Sequence, residues 1–228
     1  MEIIAVVLLI VALMALGYYL IITTEGVFLG RRLVVWLYDR VAHRYDALKE
    51  FDPDYEEAFL ARPLLLRLAS ISDKPHLLDV ATGTGRVPLL LMEQGFRGRV
   101  TALDASALML DQARAKLAPY TDRVTLIHHP ATPLPFADET FEAVSCLEAL
   151  EFLPSDAAAL QEMVRVLKPG GLLLTTRRAD GEGKAFLHRY RTRENMTTLL
   201  HTLGLVEIKI ELWEMGYDQV WAVKPGNS

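Results

Sequence analysis

Hydrophobic positions divide the chain into an uninterrupted apolar run and a long alternating region. Ile3 to Ile22 contains no charged residue. From residue 76 onward, short apolar stretches rich in β-branched residues and leucine alternate with segments in which apolar positions recur every three to four residues. This predicts strands at Leu77–Ala81, Arg99–Leu103, Val124–His128, Phe141–Leu147 and Leu172–Thr176. Between them it predicts helices at Val87–Gln94, Ala105–Leu117 and about Ser155–Leu167. A further helix over Thr192–Leu203 is ended by Gly204, and two last strands, Val206–Glu214 and Tyr217–Lys224, flank a Met-Gly turn. Strand–helix alternation of this kind predicts a parallel sheet covered on both faces, with ligands bound beyond the C-terminal strand ends.

The first segment reads differently. Twenty residues at 1.5 Å each match a hydrocarbon core of about 30 Å, and Tyr18 and Tyr19 suit an interface. A cleavable signal peptide is the alternative, with Ala15-Leu16-Gly17 as a small-x-small site. No Lys or Arg precedes the run, however, and apolar residues continue past that site. Arg31, Arg32 and Arg40 follow the run, which by the positive-inside rule predicts a single-pass anchor with the remainder on the cytoplasmic side. Arg31 to Lys49 has helical spacing with four arginines and three aromatics. It suits either a helix on the membrane surface or a connecting helix packed on the domain. Phe51-Asp52-Pro53-Asp54 breaks it with a capping acid, and Tyr55 to Ser70 is predicted as a helix kinked or broken at Pro63. The expected organisation is an anchor over residues 1–25, juxtamembrane helices over 26–70 and one α/β domain over 71–228.

The 228 residues carry 24 basic and 29 acidic side chains, a net charge of −5. With no basic stripe, nucleic acid is not an expected partner. Cys146 is the only cysteine, so neither an intrachain disulfide nor a cysteine-rich metal site is possible. His128 and His129 are adjacent and would point to opposite faces of a strand, which argues against a metal pair.

The candidate chemistry centres on His76 to Val87, a strand that ends in Asp79 and leads through Gly83 and Gly85 into a helix. Such a loop lets a ligand approach the backbone closely, next to unpaired helix N–H groups. The dinucleotide fingerprint fails at Ala81 and Arg86, and no Gly-Lys-Ser/Thr ending marks a P-loop. The stretch Asp79-Val80-Ala81-Thr82-Gly83-Thr84-Gly85 instead resembles motif I of class I S-adenosyl-L-methionine (SAM) methyltransferases. Ala81 stands where the first glycine is usual, as in ubiquinone/menaquinone C-methyltransferases. Asp104 ends the second strand about twenty residues on, where an acid can accept hydrogen bonds from ribose hydroxyls. It could equally cap the helix before Ser106.

Four other stretches carry the same resemblance. Tyr38-Asp39-Arg40-Val41-Ala42-His43-Arg44-Tyr45-Asp46 is similar to the family's Tyr-Asp-x-x-Ala-x-x-Tyr-Asp opening, part of a lid over cofactor and substrate. Leu134-Pro135-Phe136 follows the third strand. Glu148-Ala149-Leu150-Glu151-Phe152-Leu153-Pro154 follows the fourth, with Phe152 in place of a common histidine. Lys168-Pro169-Gly170-Gly171 resembles the link into the fifth strand, where proline would stop the helix and the glycines turn the chain. Pro130 stands where an adenine-binding acid is frequent, leaving backbone groups near Ala131 and apolar packing for that role. Glu148 and Glu151 could orient a substrate or accept its proton, or simply face solvent. Cys146 reads as a core residue, since no neighbouring charge activates it.

The resemblance implies a Rossmann-like doubly wound sheet of seven strands in the order 3-2-1-4-5-7-6, behind an N-terminal transmembrane helix. It implies SAM as cofactor, contacted by Tyr45, Asp79, Ala81, Thr82, Gly83, Thr84, Gly85, Asp104, Ala105, Ala131 and Leu147. The implied reaction is methyl transfer to a small acceptor, lipid or quinone-like given the anchor. The alternatives are a soluble or protein acceptor, or a SAM-binding membrane module without catalysis. No catalytic base is assigned, and the oligomeric state is not legible.

Overall fold

The computed structural model describes residues 2–179, 181–187, 189–214 and 216–226. Met215 of the expected Met-Gly turn lies outside the described residues. The apolar run forms α1 (Glu2–Tyr18) and continues through a π-helical turn, Tyr19–Thr23. Together they make one 22-residue helix with mean hydropathy 2.7, long and apolar enough to cross a membrane and exposed over residues 2–16.

The single helix expected over residues 31–49 is interrupted. α2 (Arg31–Val41) and α3 (Tyr45–Lys49) are separated by a tight 3₁₀ turn at Ala42–Arg44. Buried Ala42 allows that turn to sit against the domain. Asp52 then caps α4 (Pro53–Glu56), accepting from the N–H groups of Asp54 and Tyr55. Pro53 at the first helical position sacrifices no hydrogen bond. The break expected at Pro63 is a π-helical turn at Glu57–Ala61 just before it, from which α5 (Arg62–Ile71) continues. Proline cannot donate to the carbonyl four residues earlier, and the freed oxygen of Phe59 accepts from Gln219 Nε2 at 2.9 Å.

The domain alternates as the pattern predicts: β1 (His76–Val80), α6 (Arg86–Glu93), β2 (Arg99–Asp104), α7 (Ala107–Lys116), β3 (Val124–His128), β4 (Phe141–Cys146), α8 (Asp156–Val166), β5 (Leu167–Arg178), α9 (Arg193–Thr202), β6 (Val206–Glu214) and β7 (Tyr217–Val223). The sheet order is 3-2-1-4-5-7-6. Strands β3, β2, β1, β4 and β5 pair in parallel, while β7 pairs antiparallel with both β5 and β6. Alternate residues of β1 feed opposite layers: Leu78 and Val80 join Leu160 of α8 and Leu200 of α9, while Leu77 joins Leu64 of α5 and Leu91 of α6. Both faces are thus buried, as a parallel sheet requires.

β5 begins earlier than its sequence suggests. Lys168-Pro169-Gly170-Gly171 lies within the strand instead of forming a turn ahead of it. The register slips between Phe141↔Leu167 and Ala143↔Leu172, so the extra residues bulge out of the ladder. Gly170 N and Gly171 O are both paired with Lys224, at 2.8 and 2.9 Å. The backbone is therefore satisfied without a separate loop.

Candidate functional site

β1 has β2 on one side and β4 on the other, and successive crossovers run outward in opposite directions from it. That switch point opens a crevice at the C-terminal strand ends. The loop after β1 fills its floor. Ala81 and Gly83 both have left-handed backbones, φ 56° each. A Cβ added at Gly83 would meet no atom within 4 Å and would project into open space. Gly85, at φ +82°, has a different role: its missing side chain admits Leu117 and Ala113, whose atoms would lie 3.0 and 3.1 Å from a Cβ.

Asp104 closes the crevice from β2. Gly83 N–H donates to its Oδ2 and Ser106 N–H to its Oδ1, each at 2.8 Å. The helix cap is Ser106 itself, whose Oγ accepts from Met109 N–H at 3.0 Å, so the Asp104 carboxylate ties that cap residue to the Gly loop and also lines the cleft. Burial pushes its pKa up, opposed by those backbone bonds. Asp79 sits beneath the loop, 2 % exposed, with Ser145 Oγ donating to Oδ1 at 2.6 Å. Burial pushes Asp79 up to about 6, the Ser145 bond pulling the other way.

The main cleft is lined by Ala81, Gly83, Asp104, Ala105, Ala131, Leu147 and Tyr45 from the expected cofactor set. Asp79, Thr82 and Thr84 line a smaller adjoining cavity, which shares Ala81, Gly83, Leu147 and Tyr45 with the first. Gly85 lines neither cavity.

The N-terminal segment forms the cover. Tyr38 and Tyr45 face the cleft, their ring centroids 6.1 Å apart. Burial pushes the Tyr45 phenol up to about 12. The aspartates beside them do the fastening. Ser106 Oγ donates to Asp39 Oδ1 and Thr84 Oγ1 to Asp46 Oδ1, both at 2.5 Å. Lys116 Nζ approaches the other oxygen of Asp46 at 2.6 Å. The resemblance includes these aspartates in the lid opening but assigns cofactor contact to Tyr45 alone. The signal for the aspartates was their repetition after each tyrosine, at the same interval.

The sequence assigns Arg86 no role beyond its departure from the dinucleotide fingerprint. It leaves the Gly loop and pairs in a fork with Glu56, its Nε and Nη2 at 2.7 and 2.6 Å from the two oxygens. It also bonds Glu148. Its guanidinium lies 4.0 Å from the centroid of Phe51 and 4.9 Å from that of Trp213. Glu148, expected either near substrate or in solvent, lines both cavities, its side chain largely buried and paired with Arg86 and with Lys49 at 2.6 Å. Burial pushes its pKa up, but the two cations prevail and hold it below the ordinary range. Glu214, beside them, is pushed up to about 7 by burial and by Glu148. Glu151 is buried as well, and accepts from Tyr217 Oη. Solvation at Glu148 and Glu151 is thus corrected: each found a buried partner from a distant element.

Cys146 is fully buried, and burial raises its thiol pKa well above the usual value. His128 Nε2 lies 2.9 Å from Ala105 O, and His129 Nδ1 lies 2.8 Å from Pro130 O. Among the described residues no cluster of His, Cys, Asp and Glu could hold a metal.

This sheet order, with a Gly loop after β1 and an acid ending β2 at the same cleft, defines the class I SAM-dependent methyltransferase fold. Residues 78–175 match the Methyltransf_11 family, described as "Methyltransferase domain", which together with the fold supports a class I SAM-dependent methyltransferase. It is 38% identical over 141 residues to the ubiquinone/menaquinone biosynthesis C-methyltransferase UbiE of Syntrophotalea carbinolica, the match covering 60% of this chain and 58% of that one. The chain therefore aligns with somewhat over half of that relative's length. Among solved structures, a SAM-dependent methyltransferase from Aquifex aeolicus superposes with a TM-score of 0.56 at 21% identity, covering 76% of this chain and 99% of that one. The [4+2]-cyclase SpnF superposes with a TM-score of 0.66 at 20% identity, covering 87% and 97%. At such identities the likeness shows the fold alone, and a cyclase among them illustrates that fold does not set reaction.

SAM is the cofactor of this class, and the site fits it. The Gly83 cradle is open where a side chain would fill it. Thr82 Oγ1, in the adjoining cavity, is buried without a hydrogen-bond partner. Such an orphaned polar atom is satisfied when a polar ligand arrives.

Proposed function

We propose that this protein transfers the methyl group of SAM to a small, quinone-like acceptor dissolved in the membrane. In this reading residues 1–25 anchor the chain by a single pass, residues 26–70 form a lid, and residues 71–228 form the cytoplasmic methyltransferase domain. The observation that carries it is convergence: the Gly loop, Asp104 and the lid tyrosines border one cleft. The similarity to UbiE supports the quinone class, and the 22-residue apolar helix supports a membrane location.

Gly83, Asp104, Ala105 and Ala131 would hold the nucleoside end of the cofactor, and Asp79, Thr82 and Thr84 the amino-acid end. SAM supplies a methyl carbon on a cationic sulfur that leaves as a neutral thioether. The acceptor atom provides the electron pair and, when a C–H or O–H is replaced, loses a proton. Alignment is the protein's main contribution. Tyr38 and Tyr45 exclude water from above, while the Asp39–Ser106 and Asp46–Thr84 bonds hold that cover on the cofactor floor. Glu148 is a weak base, because Lys49 and Arg86 stabilise its ionised form.

The test uses the full chain in lipid nanodiscs with methyl-labelled SAM and a polyprenyl 1,4-naphthoquinol. Label on the quinol ring is expected. Tight SAM binding without label on any quinol or lipid-extract component would refute methyl transfer to a membrane acceptor.

A further inference from the structure

The span, the chain that follows it and the cleft share one set of side chains. Tyr19, in the last turn of the span, donates its hydroxyl to Ala185 O at 2.6 Å. Thr24 is fully buried, and its hydroxyl bonds the carbonyls of Tyr19 and Leu20. Gly26 N–H returns to Leu20 O at 2.9 Å, folding the chain back on the helix end. Val27 then packs with Val34 and Phe186, and Tyr38 and Phe152 close that cluster. The Arg189 guanidinium lies 5.7 Å from the ring of Phe28. An anchor that served only as a tether would need none of these contacts. Here the helix end is docked to the domain.

The dock is also a wall of the cleft. Val34, Tyr38 and Phe152 belong to both. Arg31, Val35 and Leu153 line the same cleft, yet come from neither the Gly loop nor the ends of β1 and β2. That portion is apolar and partly aromatic, with Tyr38 and Phe152 rings 5.7 Å apart edge to face. Arg31 starts α2, directly after the folded junction that follows the span. Even fully extended, residues 24–30 reach only about 25 Å, and they are folded back, so Arg31 stays near the headgroup layer.

Resting on the methyl-transfer reading above, we infer that Val34, Val35, Phe152 and Leu153 form the acceptor subsite, with Arg31 at its polar rim. The docked anchor holds this subsite at the membrane surface. Its ligand is an amphiphile, a flat oxygen-bearing ring on an apolar chain, which enters from the bilayer with its ring oxygens toward Arg31.

Two experiments on the full chain in nanodiscs test this. A polyprenyl naphthoquinone with a diazirine close to its ring is photolysed, and the labelled peptides are located by mass spectrometry. Label on residues 31–41 and 149–154 is expected, reduced about tenfold or more in Val35→Trp, with SAM affinity unchanged by calorimetry. Label confined to residues 2–23, or undiminished in Val35→Trp, overturns the subsite. Separately, about ten Gly-Ser residues are inserted between Thr23 and Thr24 to turn the dock into a leash. KM for the embedded long-chain quinol is expected to rise about tenfold or more, with a short-chain soluble quinol unaffected. An unchanged KM for the embedded quinol overturns the positioning role. Labelling on this wall without any methyl transfer would leave the subsite standing and refute the reaction, whereas methyl transfer with labelling elsewhere would do the reverse.

Discussion

Asp79→Asn should stabilise the protein, and only above a particular pH. The carboxyl is 2 % exposed, and its pKa rises from the usual 3.8 to about 6. Below pH 3.8 it is protonated in both folded and unfolded chains and has no differential effect. As pH climbs, the unfolded chain ionises first, and stability is lost until pH passes the folded value. The difference of about 2.2 between those values, at 1.36 kcal/mol per unit, corresponds to about 3 kcal/mol lost by neutral pH. Asparagine has the same shape and can still accept from Ser145 Oγ, but it has no charge to desolvate. For a domain of this size about 3 kcal/mol corresponds to a rise in Tm of roughly 6–12 °C. Thermal melts of the full chain in detergent, followed by tryptophan fluorescence across a pH series, would measure it. The two proteins should melt together near pH 4 and separate progressively to pH 7. A gap independent of pH, or a less stable variant at pH 7.5, would refute the reasoning. Calorimetry on the same variant should show weaker SAM binding, since the anion that burdens the empty fold faces a cationic ligand.

The same geometry sets the outcome of other substitutions. Asp104→Ala should weaken SAM binding by about 1.5–3 kcal/mol, as for lost hydrogen bonds to a charged group. Gly83→Val should abolish binding by filling the cradle, and calorimetry on the folded variants reads both. Arg86→Ala strands Glu56, 7% exposed, and leaves Glu148, 8% exposed, with Lys49 as its remaining cation, and should cost about 3–5 kcal/mol in urea denaturation. Arg86→Lys should recover little of that, because an ammonium reproduces neither the fork to Glu56 nor the stacking between Phe51 and Trp213. Gly85→Ala should lower Tm through about 1–2 kcal/mol of left-handed backbone strain, plus crowding against Leu117 and Ala113, without a direct effect on the cleft.

Local pattern carried the elements and their order of use. Short apolar runs and helical spacing marked every strand and the main helices of the domain, because a sheet buried on both faces leaves continuous apolar runs that few other environments demand. The Gly loop and the acid at 104 were legible because their chemistry depends on backbone conformation and strand-end position, both encoded within a few residues. The 3-2-1-4-5-7-6 order came from resemblance, since periodicity is silent on which strands are neighbours. What required the tertiary structure were partnerships across long separations. Glu148 could not be known as an ion-pair partner until Arg86 and Lys49 met it, 62 and 99 residues away in sequence. Pro63 announced a broken helix, but only Gln219, from β7, satisfied the carbonyl it freed. The apolar run was readable from composition alone as a helix long enough to cross a membrane. Its docking through Tyr19 to Ala185, 166 residues on, was not, because a hydrogen bond between distant segments leaves no period in the sequence and exists only once the fold has brought them together.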